Sequence, residues 1–180
     1  MSLNRAIIFA HYDKYNVVDD YVYYYLKELQ KNALHLIFVS TAKLIEKDIV
    51  KVSRYCSKVI VRENIGYDFM SYKVGLESFN YLEYDEVILC NDSVYGPLYP
   101  LTTLFSDMKN QECDFWGITE SNVLNYHLQS YFLVFRKQVL SSLIFKNFFD
   151  TIKILKNKND IIEQYEIGLS QQLLRNSFNL

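Results

Sequence analysis

The stretch Val87-Ile88-Leu89-Cys90-Asn91-Asp92-Ser93-Val94-Tyr95-Gly96-Pro97 decides how this chain folds and where its chemistry sits. Four apolar residues read as a buried strand that stops in a small polar cluster, and Gly96-Pro97 breaks the structure behind it. In open α/β sheets ligands bind beyond the carboxyl ends of the strands, so Asp92 stands where such folds keep their sites. An acid there can hold a divalent cation, and the cation can neutralise a phosphate leaving group. The competing reading is a polar turn in which Asp92 and Ser93 satisfy backbone N–H groups, and this stretch alone favours the turn.

Working outward, the first half alternates strand and helix. Ala6 to Ala10 reads as a buried strand ending in His11-Tyr12-Asp13. A helix follows from about Asp19, because Val18, Val22, Tyr25, Leu26 and Leu29 recur at helical spacing. Leu34 to Ser40 is a second strand, Lys43 to Tyr55 a second helix, and Ser57 to Val61 a third strand running into Arg62-Glu63-Asn64-Ile65-Gly66-Tyr67-Asp68. Ser71 to Phe79 is helical and Glu86 to Cys90 is the fourth strand. This alternation predicts βαβ units and an α/β fold with a mostly parallel sheet. Downstream, the pattern predicts a helix over Leu101 to Met108, strands over Asp114 to Ile118 and Gln129 to Arg136, and helices over Gln138 to Phe149 and Ile161 to Arg175. Five Gly, two Pro and no repeat or linker predict a single domain over residues 1–180. The last residues carry no stop signal, so a C-terminally trimmed domain is expected, and Met1-Ser2-Leu3 reads as an expression scar.

Composition narrows the class. Half of the residues are hydrophobic, enough for a sizeable core, and the net charge is −2 with no basic run. This argues against nucleic acid as a main partner. The 16 Tyr and 12 Phe suit sugar-stacking clefts and interfaces, though rings also simply fill cores. Cys56, Cys90 and Cys113 form no CxxC pair, which argues against a disulfide framework or a zinc site and fits a reducing cytosol. Ala6 to Ala10 is too short for a signal-peptide core or a membrane span.

Three polar clusters follow strands expected to be parallel neighbours: His11-Tyr12-Asp13, Asn64 to Asp68, and Asn91-Asp92-Ser93. Helical crossovers place the carboxyl ends of parallel strands on one edge, so the clusters should converge on one cleft. Strand ends need polar turns in any case, which accounts for part of this polarity. Gly66 lets the backbone approach a ligand, while Asn64 and Asp68 offer an amide and a carboxylate to a ribose or base. No GxGxxG and no P-loop occurs, so a metal is the expected counter-charge for any phosphate. His127 can ligate a metal or bond a pyrophosphate or acceptor, against the plainer reading of a satisfied polar residue. Glu166 can act as a general base on an acceptor hydroxyl, although acids in a first helical turn are favoured by the macrodipole alone. Nucleophilic catalysis has no support, because there is no Gly-x-Ser-x-Gly elbow and no evident Cys–His pair.

Five ordered motifs carry a resemblance: NIGYDFMSYKVGL from Asn64, ILCNDSVYGPLYPL from Ile88, DFWGITES from Asp114, HLQSYFLVF from His127 and YEIGLSQQL from Tyr165. From His11 to about Leu174 the chain resembles the rhamnan synthesis protein F family, placed among glycosyltransferases of the GT-A fold. The resemblance implies a GT-A-like (Rossmann-like) domain, a mostly parallel central sheet flanked by helices. It implies transfer of a rhamnose-like sugar from a nucleotide-diphosphate donor, typically dTDP-linked, onto a growing bacterial surface polysaccharide or lipopolysaccharide. Asn91-Asp92-Ser93 resembles the metal-binding DXD position, with Asn91 in place of the first acid and Asp92 left as the catalytic ligand of Mg²⁺ or Mn²⁺. By the same likeness His11, Asp13, Asn64, Gly66, Asp68 and Asn91 surround the nucleotide. His127 and Gln129 then lie near the diphosphate or acceptor. Glu166 resembles the late acid that serves as base in inverting enzymes, with Glu163 close enough to compete. The implied partners are a nucleotide sugar and a glycan or lipid-linked acceptor. The implied location is cytoplasmic, at the inner membrane face or within a biosynthetic complex. The alternative is a non-catalytic GT-A-like nucleotide-binding or scaffold module, which Asn91 and the small size favour.

Overall fold

The side chains of β1 (Arg5–His11) are buried along almost its whole length, as expected of a strand covered by helices on both faces. In the computed structural model, which describes residues 3–180, β1 lies at the centre of a six-stranded sheet. The expected N-terminal scar falls mostly on Met1 and Ser2, outside the described residues. The sheet order is β3-β2-β1-β4-β8-β5, built from β2 (His35–Ser40), β3 (Lys58–Val61), β4 (Glu86–Asn91), β5 (Phe115–Gly117) and β8 (Phe132–Arg136). β1 runs parallel to β2 and β4, and β2 parallel to β3, whereas β8 is antiparallel to both β4 and β5. This is the α/β, mostly parallel fold that the apolar runs imply. A two-stranded ribbon of β6 (Glu120–Ser121) and β7 (His127–Leu128) stands apart from it.

Alternation along the strands splits the apolar residues between two layers. Ile8, Val39 and Leu89 pack with Tyr72, Phe145 and Leu173 from α3 (Tyr67–Glu77), α6 (Leu143–Asp150) and α8 (Gly168–Arg175). Ile7, Phe9, Phe38 and Ile88 pack with Val22, Leu26, Leu29, Val52 and Phe105 from α1 (Asp20–Gln30), α2 (Glu46–Val52) and α4 (Leu101–Met108). Helix α3 sits so close to β1 that a Cβ on Gly75 would lie 2.4 Å from Cγ2 of Ile8. At the edge away from the strand carboxyl ends, buried Glu86 joins Arg5 at 2.6 Å and Arg136 at 3.3 Å. That bridge ties the starts of β1 and β4 to the end of β8.

The structure differs from the sequence expectations at several boundaries. Helix α3 begins at Tyr67 rather than Ser71, so Asp68 belongs to its first turn and not to a loop. The helix expected from Gln138 to Phe149 is two, α5 (Lys137–Leu140) and α6, because Ser142 accepts the Phe145 N–H and starts a new N-terminus. The last helix is composite: α7 (Lys158–Ile161), a π-helix over Ile162–Ile167, then α8. Gln129 and Ser130 precede β8 instead of belonging to it. Among the described residues no helix is long and apolar enough to cross a membrane.

Candidate functional site

The carboxyl ends of β1 and β4 meet at Asp92. The Tyr12 N–H donates to Asp92 Oδ2 at 3.1 Å, Nε2 of His11 stands 3.7 Å from the same oxygen, and the Tyr21 hydroxyl donates to the Asp92 carbonyl at 3.1 Å. His11 is the last residue of β1 and is buried, with Nδ1 2.8 Å from Ser40 Oγ on β2. Asn91 joins the third cluster: its Nδ2 donates to Asp68 Oδ2 at 2.9 Å and its Oδ1 accepts the Ser93 N–H at 3.0 Å. The three polar clusters therefore do come together. They are not all neighbours, however, because β2 separates β1 from β3 and contributes Ser40 itself.

Burial dominates the electrostatics. It pushes the Asp92 carboxyl up to about 7, with Asp68 and Asp13 adding repulsion and the Tyr12 N–H opposing it. Asp68 is also raised, again mainly by burial and further by Glu166, against the pull of Asn91, Arg62 and Lys158. Burial lowers His11 to about 4. The His11–Asp92 contact is therefore not an ion pair: near neutrality the shared neighbourhood protonates Asp92 before the imidazole.

The loop after β3 is held by a residue that the sequence did not single out. Arg62 donates to Ser71 Oγ at 2.8 and 3.0 Å and to the carbonyls of Glu63 (2.9 Å), Ile65 (2.6 Å) and Tyr67 (2.7 Å). One planar fork thus saturates the carbonyls of a tight turn. Gly66 takes φ +75° there, and a Cβ would lie 2.9 Å from the Met70 Cβ. The turn forms one wall of a 640 Å³ cavity, with Tyr12, Asn64, Gly66, Asp68, Asp92 and Lys158 among its lining.

A second cavity of 260 Å³ opens beside it, lined by Asn91, Gln129, Ser130 and Glu166. Tyr67, Asp68, Ser93 and Lys158 line both cavities, so the two are parts of one cleft. Glu166 projects from the π-helix. Its Oε2 accepts the Ser130 N–H at 2.7 Å and the Ser130 hydroxyl, and its Oε1 lies 3.6 Å from His127 Nε2. Gln129 accepts from the Thr119 hydroxyl at 2.6 Å.

Other expected site residues fall elsewhere. Asp13 lines neither cavity, because its Oδ1 accepts the N–H groups of Tyr15 and Val17 and closes a local turn. His11 and His127 stand behind the walls, buried, one against Asp92 and the other against Glu166. Glu163 lines a different groove, with Gln164 and Arg175, on the outer side of the π-helix. Lys158 was not anticipated, and nothing local marks a lysine in a polar loop as facing a cleft.

A cleft at the carboxyl edge of a mostly parallel sheet, lined by half-buried Asp68 and Asp92, defines an α/β fold of the open-sheet type. Residues 36–180 match the family model of rhamnan synthesis protein F, and the chain belongs to that family. An uncharacterised protein, y4gN, of Sinorhizobium fredii is 30% identical over 161 residues, covering 86% of this chain and 42% of its own length. Virulence protein VirA of Vibrio anguillarum is 32% identical over 174 residues, covering 92% of this chain and 54% of its own. The chain thus spans about half the length of the curated relatives it matches. Among solved structures, a cytidylyltransferase from Leptospira borgpetersenii superposes with a TM-score of 0.51 at 12% identity, over 98% of this chain and 74% of that one. A chain from Desulfovibrio desulfuricans assigned as a nucleotide-diphospho-sugar transferase gives 0.51 at 15% identity, over 99% and 78%. At these identities the likeness is one of fold.

Proposed function

We infer that the chain is a glycosyltransferase, moving a rhamnose-like sugar from a nucleotide-diphosphate donor, dTDP-linked, to a growing surface polysaccharide. The observation that carries this reading is the pair of joined cavities, Asp92 in the wider and Glu166 in the narrower, sharing Asp68 and Lys158. Nucleotide and diphosphate fit the wider cavity, where Asn64 and Asp68 offer an amide and a carboxylate to a ribose or base. Lys158, reaching both cavities, supplies positive charge for the diphosphate. The acceptor hydroxyl approaches through the narrower cavity, and Glu166 takes its proton as the acceptor oxygen attacks the anomeric carbon. The bond from that carbon to the diphosphate breaks, and its electron pair leaves on the diphosphate.

Among the described residues no group of three or more His, Cys, Asp and Glu could hold a metal. Asp92 nevertheless suits a cation shared with a diphosphate, since Mg²⁺ takes one or two carboxylates and completes its shell with phosphate oxygens and water. When bound, Mg²⁺ or Mn²⁺ would neutralise charge on the departing diphosphate. Tyr95, Leu98 and Tyr99, 81, 85 and 81% exposed just beyond Asp92, suit an acceptor carried on lipid at a membrane face.

The test is dTDP release from dTDP-rhamnose with a lipid-linked glycan fraction as acceptor. Asp92→Ala should abolish turnover while circular dichroism stays unchanged. Glu166→Gln should keep donor binding and lose about 10²- to 10⁴-fold in rate. Wild-type turnover by Asp92→Ala, or a dead Glu163→Gln beside an active Glu166→Gln, would overturn these assignments.

A further inference from the structure

Glu166 reaches the cleft with its two oxygens in unlike surroundings. Oε2 accepts both the N–H and the hydroxyl of Ser130. Oε1 stands 3.6 Å from Nε2 of His127, a residue only 4% exposed. The other ring nitrogen, Nδ1, lies 2.7 Å from the Asn125 carbonyl oxygen. A carbonyl oxygen only accepts, so Nδ1 carries a hydrogen. In the neutral ring Nε2 is then a bare lone pair, and it faces the carboxylate oxygen that Ser130 leaves free. Two acceptors turned toward each other repel until one proton lies between them.

We propose that His127 is a positioning residue for the transfer: together with Glu166 Oε1 it holds the proton taken from the acceptor hydroxyl. The inference rests on Glu166 being the base. The acceptor O–H bond breaks and its proton passes to Oε1, while the acceptor oxygen bonds the anomeric carbon and the diphosphate leaves with its electron pair. The carboxylic acid so formed donates toward Nε2, which turns the repulsion of the empty pair into attraction and gives the proton a place to rest.

The surroundings keep His127 in place. The β6–β7 ribbon is fastened to α8, where Ser170 Oγ accepts the Leu128 N–H at 3.1 Å and Gln171 Nε2 donates to the Tyr126 carbonyl at 2.7 Å. The charged group facing the ring is Glu166, from the π-helix. Glu120, on the paired strand, is taken up by the Tyr126 hydroxyl at 2.7 Å, and α8 offers the neutral Ser170 and Gln171. The wide turn of the π-helix sends Glu166 inward while Glu163 and Gln164 line the outer groove.

Two measurements test the role. ¹⁵N NMR of histidine-labelled protein reads the tautomer of each of the three histidines, with His127→Asn as the assignment control. The expected neutral tautomer of His127 is Nδ1–H, and a hydrogen on Nε2 overturns the proposal. In the dTDP-release assay, His127→Asn and His127→Gln should each lower kcat by about 100-fold, the low end for a positioned acid–base group. The KM for dTDP-rhamnose should stay put, and the acid limb of the kcat–pH profile should move. An unchanged kcat, or a loss shared equally with KM, overturns the role. An Nε2–H tautomer in an active enzyme sinks the role alone. An Nδ1–H tautomer in a protein that turns over no nucleotide sugar sinks the transferase reading, and the role with it.

Discussion

Asp92→Asn should make the protein more stable at pH 8 and leave it unchanged near pH 4. The folded carboxyl is raised to about 7, mainly by burial, whereas an unfolded aspartate titrates near ~3.9. Between those values the folded chain binds the extra proton, so wild-type stability falls as pH rises through the window and levels off above about 7. About three pKa units at ~1.4 kcal/mol each give a cost of about 4 kcal/mol at pH 8. The side chain is only 11% exposed, so solvent screening removes little of this, and local relaxation makes the figure an upper bound. Asparagine keeps an oxygen to accept the Tyr12 N–H while carrying no charge. Urea unfolding of both proteins at half-unit steps from pH 4 to 8 measures the difference directly. The gap should open between pH 4 and 7 in favour of the variant. A variant less stable at pH 8, or a gap that ignores pH, would refute the claim that this carboxylate is held at a cost to the fold.

Three further outcomes follow from the packing. Arg62→Met strips donors from the carbonyls of Glu63, Ile65 and Tyr67 and should cost about 3 kcal/mol in urea unfolding, with dTDP binding weakened in calorimetry as the Asn64–Asp68 wall loosens. Glu86→Ala takes the shared carboxylate from Arg5 and Arg136 at the far edge of the sheet, so it should cost about 3 kcal/mol while calorimetry finds dTDP affinity unaltered. Gly75→Ala drives a methyl into Ile8 and should destabilise by about 1–3 kcal/mol, read as a lowered thermal midpoint.

The parallel strands were legible because a strand buried on both faces must be an apolar run, and β1, β2 and β4 are such runs. Their carboxyl ends were therefore legible too, and with them the meeting of His11, Asp68, Asn91 and Asp92. The roles of His11 and Asp13 were not, since a polar residue at a strand end looks alike whether it faces a cleft or closes its own turn. The ribbon of β6 and β7 is two residues per strand, too short to show any period. The π-helix leaves an ordinary helical pattern in the sequence, yet its wider turn separates Glu166 from Glu163. Arg62 went unread because its partners are backbone carbonyls, which every sequence possesses. Lys158 and Ser130 line the cleft beside segments distant in the chain, which spacing does not encode.

A crystal structure of the protein with dTDP and Mn²⁺ tests most directly whether the cleft between Asp92 and Glu166 binds a nucleotide sugar. The diphosphate should lie in the wider cavity against Asp92 and Lys158, with the cation between it and the carboxylate. Nucleotide bound away from this cleft, or a cleft still empty at saturating dTDP, would contradict the account.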